Sequence, residues 1–263
     1  MTGILGEIVK YKRQYVEDCK QKIPLSDIKM MANEAGDTRN FISALKGPGC
    51  SLIAEIKTAS PSRGIIRDDV KIEDVARIYE KNGASCISVL TDEKYFMGTL
   101  NRLGKVREVT TIPLLRKDFI IDVYQIYEAR RAGADAVLLI AACLDDMQLG
   151  DFIELSTDLG LDCLVEVHEK TEIERVKNLN ARLVGINNRN LNTFETNIDV
   201  TGKLAPYAPS NAILVSESGI HSSEDVRKIH GMGAGAVLVG EAIMRARDMA
   251  EKTKELSHAV GKV

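Results

Sequence analysis

The sequence predicts an α/β fold, a (β/α)8 TIM barrel with an N-terminal helical extension. Eight short apolar, β-branched segments recur, and neighbouring segments begin roughly 20–35 residues apart, a spacing that fits one strand, one helix and two loops. Strands that are apolar throughout and alternate with helices favour a parallel sheet covered by helices. A doubly wound open sheet is the alternative, but it would use fewer strands, and no GxGxxG turn follows the first strand.

The predicted helices and strands follow from local patterns along the chain. Helix-period apolar positions in residues 70–84 and 122–134 stop at Gly83 and Gly133, while residues 222–234 open with a serine cap and close on glycine. The order helix, Gly-Ala, strand repeats at residues 83–84, 133–134 and 235–236, which indicates a recurring βα unit. The eight predicted strands are residues 51–57, 86–91, 112–119, 136–142, 162–168, 183–188, 212–218 and 236–240.

Residues 1–47 precede the first strand and are predicted to form a helical extension packed on the barrel. Apolar side chains in residues 4–20 lie on or near one helix face, and two further segments begin near good N-cap residues, Ser26 and Thr38. Residues 245–263 predict a final helix. Because no low-complexity linker interrupts the chain, we expect residues 1–263 to form one domain.

Composition argues against several functional classes. The net charge is −3, so no overall basic charge favours nucleic acid or an anionic membrane as a partner. The five cysteines form no CxxC pair, which predicts reduced thiols in a cytoplasmic protein, and the four histidines form no HxxxH or HExxH pattern, so no metal site is expected. The N-terminus lacks the apolar core of a signal peptide, and the longest apolar run, about nine residues, is too short to span a bilayer.

Charged residues occupy strand positions that would normally be apolar. Strand side chains alternate between faces, so Glu55 and Lys57 share the face of Ile53, whereas the opposite face of the first strand is apolar and should meet the helices. The same alternation places one charged residue on the inner face of the third, fifth and seventh strands: Lys117, Glu166 and Glu217. Alternate strands supply one layer of such a barrel, and active sites lie at the carboxyl ends of the strands. The four odd strands therefore predict a charged layer at an active site.

Two interpretations of these charges are open. Strand-end charges can reach solvent, but matching parity in four strands favours a common layer. Charges clustered in a barrel mouth lose hydration, so they must pair or shift their pKa values. A partly desolvated lysine can lose its proton near neutral pH, which makes these lysines and glutamates candidate general acids and bases. Asn187 and Arg189 follow the sixth strand and add polar groups to the same edge.

Glycine-containing loops, SESG and VGEA, follow the last two strands. These loops hold phosphate in many (β/α)8 barrels, because Gly219 and Gly240 allow close backbone approach and a following helix offers free N–H groups. Glu241 suits such a site only through its backbone N–H.

Two aromatic residues, Phe96 and Phe119, lie just beyond the second and third strands. With Leu138 they would form an apolar wall for a flat substrate. Lone aromatic residues are also common in cores, so both roles stay open at this point.

An ordered set of motifs resembles the indole-3-glycerol-phosphate synthase family: IAEIKTASPSRG, SVLTDEKYFMG, IPLLRKDFIID, LVEVH, GINNRNL, VSESGI and VLVGEAIM. The resemblance covers nearly the whole chain, and EIKxASPSxG, LLRKDF and INNRNL are specific to this family among phosphate-binding barrels. Thr58 departs from the pattern, since a basic residue is more usual there. No isomerase domain follows, so the monofunctional form is expected.

The resemblance implies a decarboxylating, dehydrating ring closure in tryptophan biosynthesis. An anthranilate-derived amino-deoxyribulose phosphate would lose CO2 and water to give indole-3-glycerol phosphate, and no cofactor is needed. The family lysine that matches Lys117 protonates the ketone oxygen, and the glutamates that match Glu55 and Glu166 are candidates for the dehydration. Lys57 matches a lysine that contacts an anionic group of the substrate. The division of the final proton transfers among these groups stays open.

The residues implied by the resemblance form three sets. The catalytic set is Glu55, Lys57, Lys117, Glu166, Asn187 and Ser218. The substrate-binding set is Ser60, Phe96, Phe119, Leu138, Arg189 and Glu217, with the two phenylalanines now expected to face the anthranilate ring. The phosphate-binding set is Gly219, Gly240 and the N–H of Glu241. The expected partner is this small phosphosugar, with no nucleic acid and no membrane, and the chain would be a monomer or a weak homo-oligomer.

Two other functions predict different residues. The neighbouring isomerase of the same pathway, phosphoribosylanthranilate isomerase, would carry a Cys/Asp acid–base pair, which Glu55 and Lys57 do not match. A catalytically silent barrel that binds phosphate ligands would be expected to lack Lys117, Glu55 or Glu166, and all three are present.

Overall fold

A closed barrel of eight parallel strands forms the centre of the molecule. The computed structural model describes residues 3–61, 63–191 and 193–261. Each strand pairs with its sequence neighbours and the last pairs with the first. The strands are β1 (Ser51–Ile56), β2 (Cys86–Leu90), β3 (Leu114–Lys117), β4 (Ala136–Ile140), β5 (Asp162–Val167), β6 (Leu183–Asn187), β7 (Ile213–Glu217) and β8 (Ala236–Val239). This closure confirms the predicted (β/α)8 class over the open doubly wound sheet.

Helices cover the outside of the barrel and precede it. They are α1 (Gly3–Lys22), α2 (Leu25–Asn33), α3 (Phe41–Leu45), α4 (Ile72–Lys81), α5 (Glu93–Phe96), α6 (Asn101–Val109), α7 (Val123–Arg131), α8 (Asp146–Asp158), α9 (Lys170–Asn178), α10 (Asp199–Leu204), α11 (Ser223–Gly231), α12 (Glu241–Met244) and α13 (Met249–Ser257). A short hairpin, Ala59–Ser60 with Gly64–Ile65, follows β1. No helix in the described ranges is long and apolar enough to cross a membrane.

Side-chain alternation sorts the strands into two apolar layers. In β1, Leu52, Ala54 and Ile56 pack outward in the large core beneath the helices. Ile53 points the other way and joins Leu115 and the inner side chains of other strands in a core within the barrel. The prediction that Leu52, Ala54 and Ile56 face the helices, made from the alternation of strand side chains, is therefore confirmed.

The extension packs on both the side and the amino-terminal end of the barrel. Val16 of α1 forms a small core with Ile28 of α2 and Tyr124 of α7. Helix α3 closes the end opposite the polar strand termini, because its apolar residues join the inner core. The backbone N–H of Ile42 in α3 donates to Asp162 Oδ2 at the start of β5, at 3.0 Å.

Both N-caps predicted for the extension are wrong. Helix α2 begins at Leu25, directly after a proline, so Ser26 lies within its first turn and does not cap it. The fixed φ of the proline suits the position before a helix, and this sets the start one residue earlier than the serine. Helix α3 is capped by Asn40 and not by Thr38, since the Asn40 side chain accepts a first-turn N–H at 2.7 Å.

The boundaries predicted for three barrel helices agree with the structure. Gly83 and Gly133 follow α4 and α7 with φ of +91° and +85°, a conformation that glycine adopts without a steric cost. Ser222 caps α11 by accepting the backbone N–H of Asp225, and the Asp225 side chain accepts the backbone N–H of Ser222, which completes a capping box.

Candidate active site

The polar strand ends line one cavity at the carboxyl end of the barrel. Its volume is about 190 Å³, and its lining includes every residue of the predicted catalytic, substrate-binding and phosphate-binding sets. Strand parity and the loops that follow β1, β2, β6, β7 and β8 therefore bring these residues together as predicted, while their individual roles stay predictions.

An ion cluster lies on the floor of this cavity. The ammonium of Lys117 on β3 lies 2.9 Å from Glu166 Oε2 on β5 and 2.5 Å from Glu217 Oε2 on β7. The two glutamate side chains are only 5% and 2% exposed. The interpretation of these charges as solvated strand ends is therefore wrong, because the inward parity buries them against one another.

Lys117 is held in its charged form. Burial alone would lower its pKa, but the charges of Glu166, Glu217 and Glu55 raise the pKa of Lys117 above its ordinary value. The sequence argument that a desolvated lysine loses its proton is thus wrong for this residue, since three carboxylates reverse the effect of burial. Lys117 is suited to donate a proton and not to accept one.

The two glutamates beside Lys117 differ in their proton affinity. Burial would raise the pKa of Glu166, but the charges of Lys117 and His168 hold it below its ordinary value. Burial raises the pKa of Glu217 to about 7, with the charges of Glu166 and Glu55 adding to the rise and Lys117 opposing it. Glu166 is therefore ionised at neutral pH, while Glu217 titrates in the neutral range.

His168 supplies a positive charge that the sequence argument did not assign. Its Nε2 lies 3.3 Å from Glu166 Oε1, and its Nδ1 lies 3.6 Å from Glu172 Oε2 on α9. Burial opposes protonation, but these two carboxylates raise the pKa of His168 to about 10. Asn187 Nδ2 also donates to Glu166 Oε1, at 3.2 Å. The LVEVH motif contained the signal for His168, two residues after Glu166 on the same strand face.

A second acid–base pair comes from β1 and the residue after it. Lys57 Nζ lies 3.7 Å from Glu55 Oε2 and 5.5 Å from the centre of the Phe96 ring.

Two glycines make room for the carboxylates of this layer: a Cβ on Gly240 would collide with Glu55, and one on Gly185 would collide with Glu217. Gly185 in β6 and Gly240 directly after β8 therefore leave the space that these carboxylates occupy, beyond any approach to phosphate.

An apolar wall stands above the ion cluster. The rings of Phe96 and Phe119 have centroids 6.1 Å apart at 37°, and both line the cavity with Leu138. Leu5 and Ile8 of α1 line it as well, a contribution that sequence reasoning missed. The sequence showed that α1 has an apolar face, but it gave no indication that the first turns of this helix line the cavity.

The loops after β7 and β8 form the opposite end of the cavity. Ser218 and Gly219 have consecutive positive φ values of +70° and +76°. A serine in this conformation is strained, and such strain is concentrated at functional sites. Glu241 turns its carboxylate to Arg63 and Arg245, with Oε1 at 3.2 Å and 3.1 Å from their Nε atoms. This arrangement fits the expectation that Glu241 meets an anion only through its N–H.

Three further polar residues line the cavity. Ser60 is buried in the hairpin after β1. Arg189 donates its N–H to Asn187 Oδ1 at 3.0 Å and its guanidinium to the Phe194 carbonyl at 2.9 Å. Arg63 also lines the cavity, although the sequence argument assigned it no role.

Comparison with known proteins identifies the family of this chain. A family model described as Indole-3-glycerol phosphate synthase matches residues 5–256. The chain belongs to the indole-3-glycerol phosphate synthase family. It is 45% identical over 254 residues to the indole-3-glycerol phosphate synthase of Alkaliphilus metalliredigens (strain QYMF), covering 96% of this chain and 97% of the relative. The corresponding protein of Dehalococcoides mccartyi (strain CBDB1) is 46% identical over 257 residues, covering 96% of this chain and 99% of the relative.

Solved structures outside the indole-3-glycerol phosphate synthase family share the fold. 3-hexulose-6-phosphate synthase from Salmonella typhimurium aligns with a TM-score of 0.61 at 16% identity, covering 80% of this chain and 98% of that chain. Thiamine phosphate pyrophosphorylase from Pyrococcus furiosus aligns with a TM-score of 0.59 at 15% identity, covering 80% of this chain and 95% of that chain. At this identity the comparison concerns the barrel alone.

Proposed function

We propose that this chain is a carboxy-lyase that converts 1-(2-carboxyphenylamino)-1-deoxy-D-ribulose 5-phosphate to indole-3-glycerol phosphate in tryptophan biosynthesis. One observation carries the proposal: the charged Lys117 lies between two buried carboxylates at the floor of a cavity that has an aromatic wall. A flat ring, a ketone and a phosphate need an apolar face, a proton donor and an anion site in one cavity, and the cavity offers all three.

The substrate would lie across the cavity. Its aryl ring fits against Phe96 and Phe119, and its phosphate fits the backbone after β7 and β8 at Gly219 and Gly240. The ammonium of Lys57, close to Phe96, would pair with the substrate carboxylate. This placement brings the ketone of the sugar chain between the two ends, over Lys117.

Ring closure needs a charged proton donor in place. The ring carbon that bears the carboxylate attacks the ketone carbon, a C–C bond forms, and the carbonyl electron pair moves to oxygen. Lys117 gives its proton to that oxygen, because Glu166 and Glu217 hold it charged in the absence of substrate. The C–C bond to the carboxylate then breaks, CO2 leaves, and the released electron pair restores the aromatic ring.

Dehydration needs a base and a second acid. Glu166 is suited to take the proton from the methylene carbon, because its neighbours keep it ionised. Lys57, paired with Glu55 at 3.7 Å, is suited to protonate the departing hydroxyl. Water leaves and the new C=C bond completes the indole. Oε1 of Glu217 is buried against Gly185 of β6 without a hydrogen-bond partner among the described residues, so the carboxylate would have to turn toward the cavity to accept a hydroxyl of the substrate.

The test is to add the carboxyphenylamino-deoxyribulose phosphate to purified protein and to follow indole absorbance and CO2 release together. The expected result is one CO2 for each indole formed, with Lys117→Met as the control for non-enzymatic closure. Absence of both products from folded wild-type protein would contradict the proposal and leave the silent phosphate-binding barrel as the better account.

The isomerase alternative has less support. A Cys/Asp pair would need a thiol in the cavity, and none of the five cysteines lines it. Cys86, on the inner face of β2, lies at the closed end, with its thiol 3.9 Å from the Phe41 carbonyl of α3. Incubation with phosphoribosylanthranilate should therefore give no rearranged product.

A further inference from the structure

A buried ion cluster joins the N-terminal extension to two loops of the cavity. Lys12 of α1 is 1% exposed, and its ammonium lies 2.9 Å from Asp92 Oδ2 and 2.7 Å from Asp118 Oδ1. The aspartate side chains are equally inaccessible, at 0% and 1%. Lys12 does not line the cavity, and the proposed chemistry does not use it.

The cluster depends on Lys12 for its charge balance. Asp118 also meets Arg116 at 3.3 Å and accepts a hydrogen bond from Thr91 at 2.6 Å, whereas Asp92 has Lys12 as its only ion-pair partner among the described residues. Burial would lower the pKa of Lys12, but the two aspartates raise it, so the ammonium stays charged. Removing one partner of a buried pair leaves the other charge uncompensated, and that group must then move toward water.

Each aspartate also holds the backbone of one wall residue. Asp92 Oδ1 accepts the N–H of Tyr95 at 2.7 Å and so starts α5, the short helix that carries Phe96. Asp118 Oδ1 accepts the N–H of Phe119 at 2.8 Å, and Asp118 directly follows the proposed general acid in the sequence. The Lys12 ammonium therefore contacts both aspartates that hold the backbone of the aromatic wall, one beside Phe96 and one beside Phe119.

The same helix reaches the cavity itself. Ile8 and Leu5 lie one and two turns before Lys12 and line the cavity. Tyr11 of α1 packs edge-on against Tyr95, with ring centroids 5.9 Å apart at 78°. Helix α1 thus contacts the segment around α5 through Lys12 and Tyr11, and it lines the cavity through its first turns.

We propose that Lys12 is a positioning residue, which fixes the spacing of Phe96, Phe119 and Lys117 by bridging Asp92 and Asp118. The proposal rests on the function proposed above for those three residues. A purely structural ion pair would lower stability when removed but would leave the geometry of the remaining folded protein, and hence its turnover, unchanged.

The first experiment compares Lys12→Met with two variants of the same helix. Lys12→Met keeps the length of the side chain and removes the charge. We expect kcat/KM to fall at least about 10-fold, because small displacements of catalytic groups have effects of this size or larger. Lys10→Met, at an exposed position of α1, and Val16→Ala, which loosens the contact with α2 and α7, should both stay within about two-fold of wild type at a temperature where all are folded.

The second experiment separates position from stability. In Lys12→Met with Asp92→Asn the uncompensated charge is gone, so thermal stability should recover toward wild type. The bridge between the loops is still missing, so kcat/KM should stay low, with KM for the aryl-bearing substrate raised. Affinity for inorganic phosphate should be unchanged, because that end of the cavity is built by β7 and β8.

Amide hydrogen exchange gives a readout that does not depend on turnover. The N–H groups of Tyr95 and Phe119 should exchange faster in Lys12→Met than in Val16→Ala. Turnover within two-fold of wild type in Lys12→Met, recovery of kcat/KM together with stability in the double variant, or unchanged exchange at both amides would each overturn the proposal. An inactive wild type would instead contradict the proposed function, and the exchange experiment would still decide the role of Lys12.

Discussion

Glu217 Oε2 lies 2.5 Å from the ammonium of Lys117, while Oε1 of the same carboxylate is buried without a hydrogen-bond partner among the described residues. One oxygen therefore helps to hold the proposed acid, and the other lies against Gly185 of β6. Burial, with the neighbouring Glu166 and Glu55 charges, raises the pKa of Glu217 from 4.5 to about 7. The protonation of this residue should change within the range in which the enzyme would work.

This pKa predicts opposite pH trends for activity and stability. If ionised Glu217 accepts a substrate hydroxyl, kcat/KM should rise with pH and reach half its maximum near pH 7. The folded state binds this proton more tightly than the unfolded state, so the contribution of Glu217 to the free energy of unfolding is full below pH 4.5 and is lost as pH rises toward 7. Glu217→Gln should show neither trend, measured by pH–rate profiles and by urea unfolding; an inflection near pH 7 that survives in Glu217→Gln would assign it to another group.

Lys117→Met should abolish ring closure while the substrate still binds. The variant removes the proton donor but leaves the aromatic wall and the phosphate end, so substrate affinity by calorimetry should stay within about 10-fold of wild type. General acids typically supply about 10²- to 10⁴-fold in rate. Single-turnover assays that retain more than about a tenth of the wild-type rate would contradict the acid role of Lys117.

Glu166→Gln should be more harmful than Glu217→Gln. Glu166 is the carboxylate held ionised by Lys117, His168 and Asn187, and we assign it a proton transfer, whereas Glu217 supports Lys117 and the substrate. We expect a loss of about 10²-fold or more in kcat for Glu166→Gln. The loss for Glu217→Gln should be smaller and divided between kcat and KM. The reverse order, measured at the pH optimum of each variant, would exchange the two roles.

The strand pattern predicted the fold and the place of the site for a physical reason. The period of two assigns each residue to a face, and closure of the barrel brings the inner faces of β1, β3, β5 and β7 to one centre. Glu55, Lys117, Glu166 and Glu217 were therefore predictable as a group from the strands alone. The phosphate loops were predicted from Gly219 and Gly240 and from their place after the last two strands. The aromatic wall needed the family resemblance, because lone aromatic residues have common structural roles elsewhere.

Other features depend on contacts between elements that are distant in the sequence. The pKa of Lys117 follows from carboxylates on three other strands, and the contribution of α1 to the cavity lining follows from where this helix packs, neither of which a local pattern contains. The same holds for Lys12, which appears on α1 as one lysine among several until Asp92 and Asp118 are placed beside it.

The charge on His168 should stabilise the folded protein in a pH-dependent way. Folding raises the pKa of His168 from 6.5 to about 10, because Glu166 and Glu172 outweigh burial. Its stabilisation is therefore fully present below pH 6.5 and is lost as pH rises toward 10. His168→Gln should lower the free energy of unfolding at pH 7 by about 3 kcal/mol, the scale of removing one partner of a buried ion pair. The difference from wild type should shrink toward pH 10, measured by urea unfolding. His230→Gln, at a ring that lies 3.1 Å from the Ala234 carbonyl and beside no carboxylate partner in the described ion pairs, is the matched control. Parallel curves for wild type and His168→Gln from pH 7 to pH 10 would show that the imidazole is neutral in the folded protein, and Lys117 would then be the remaining charged partner of Glu166 in the described ion pairs.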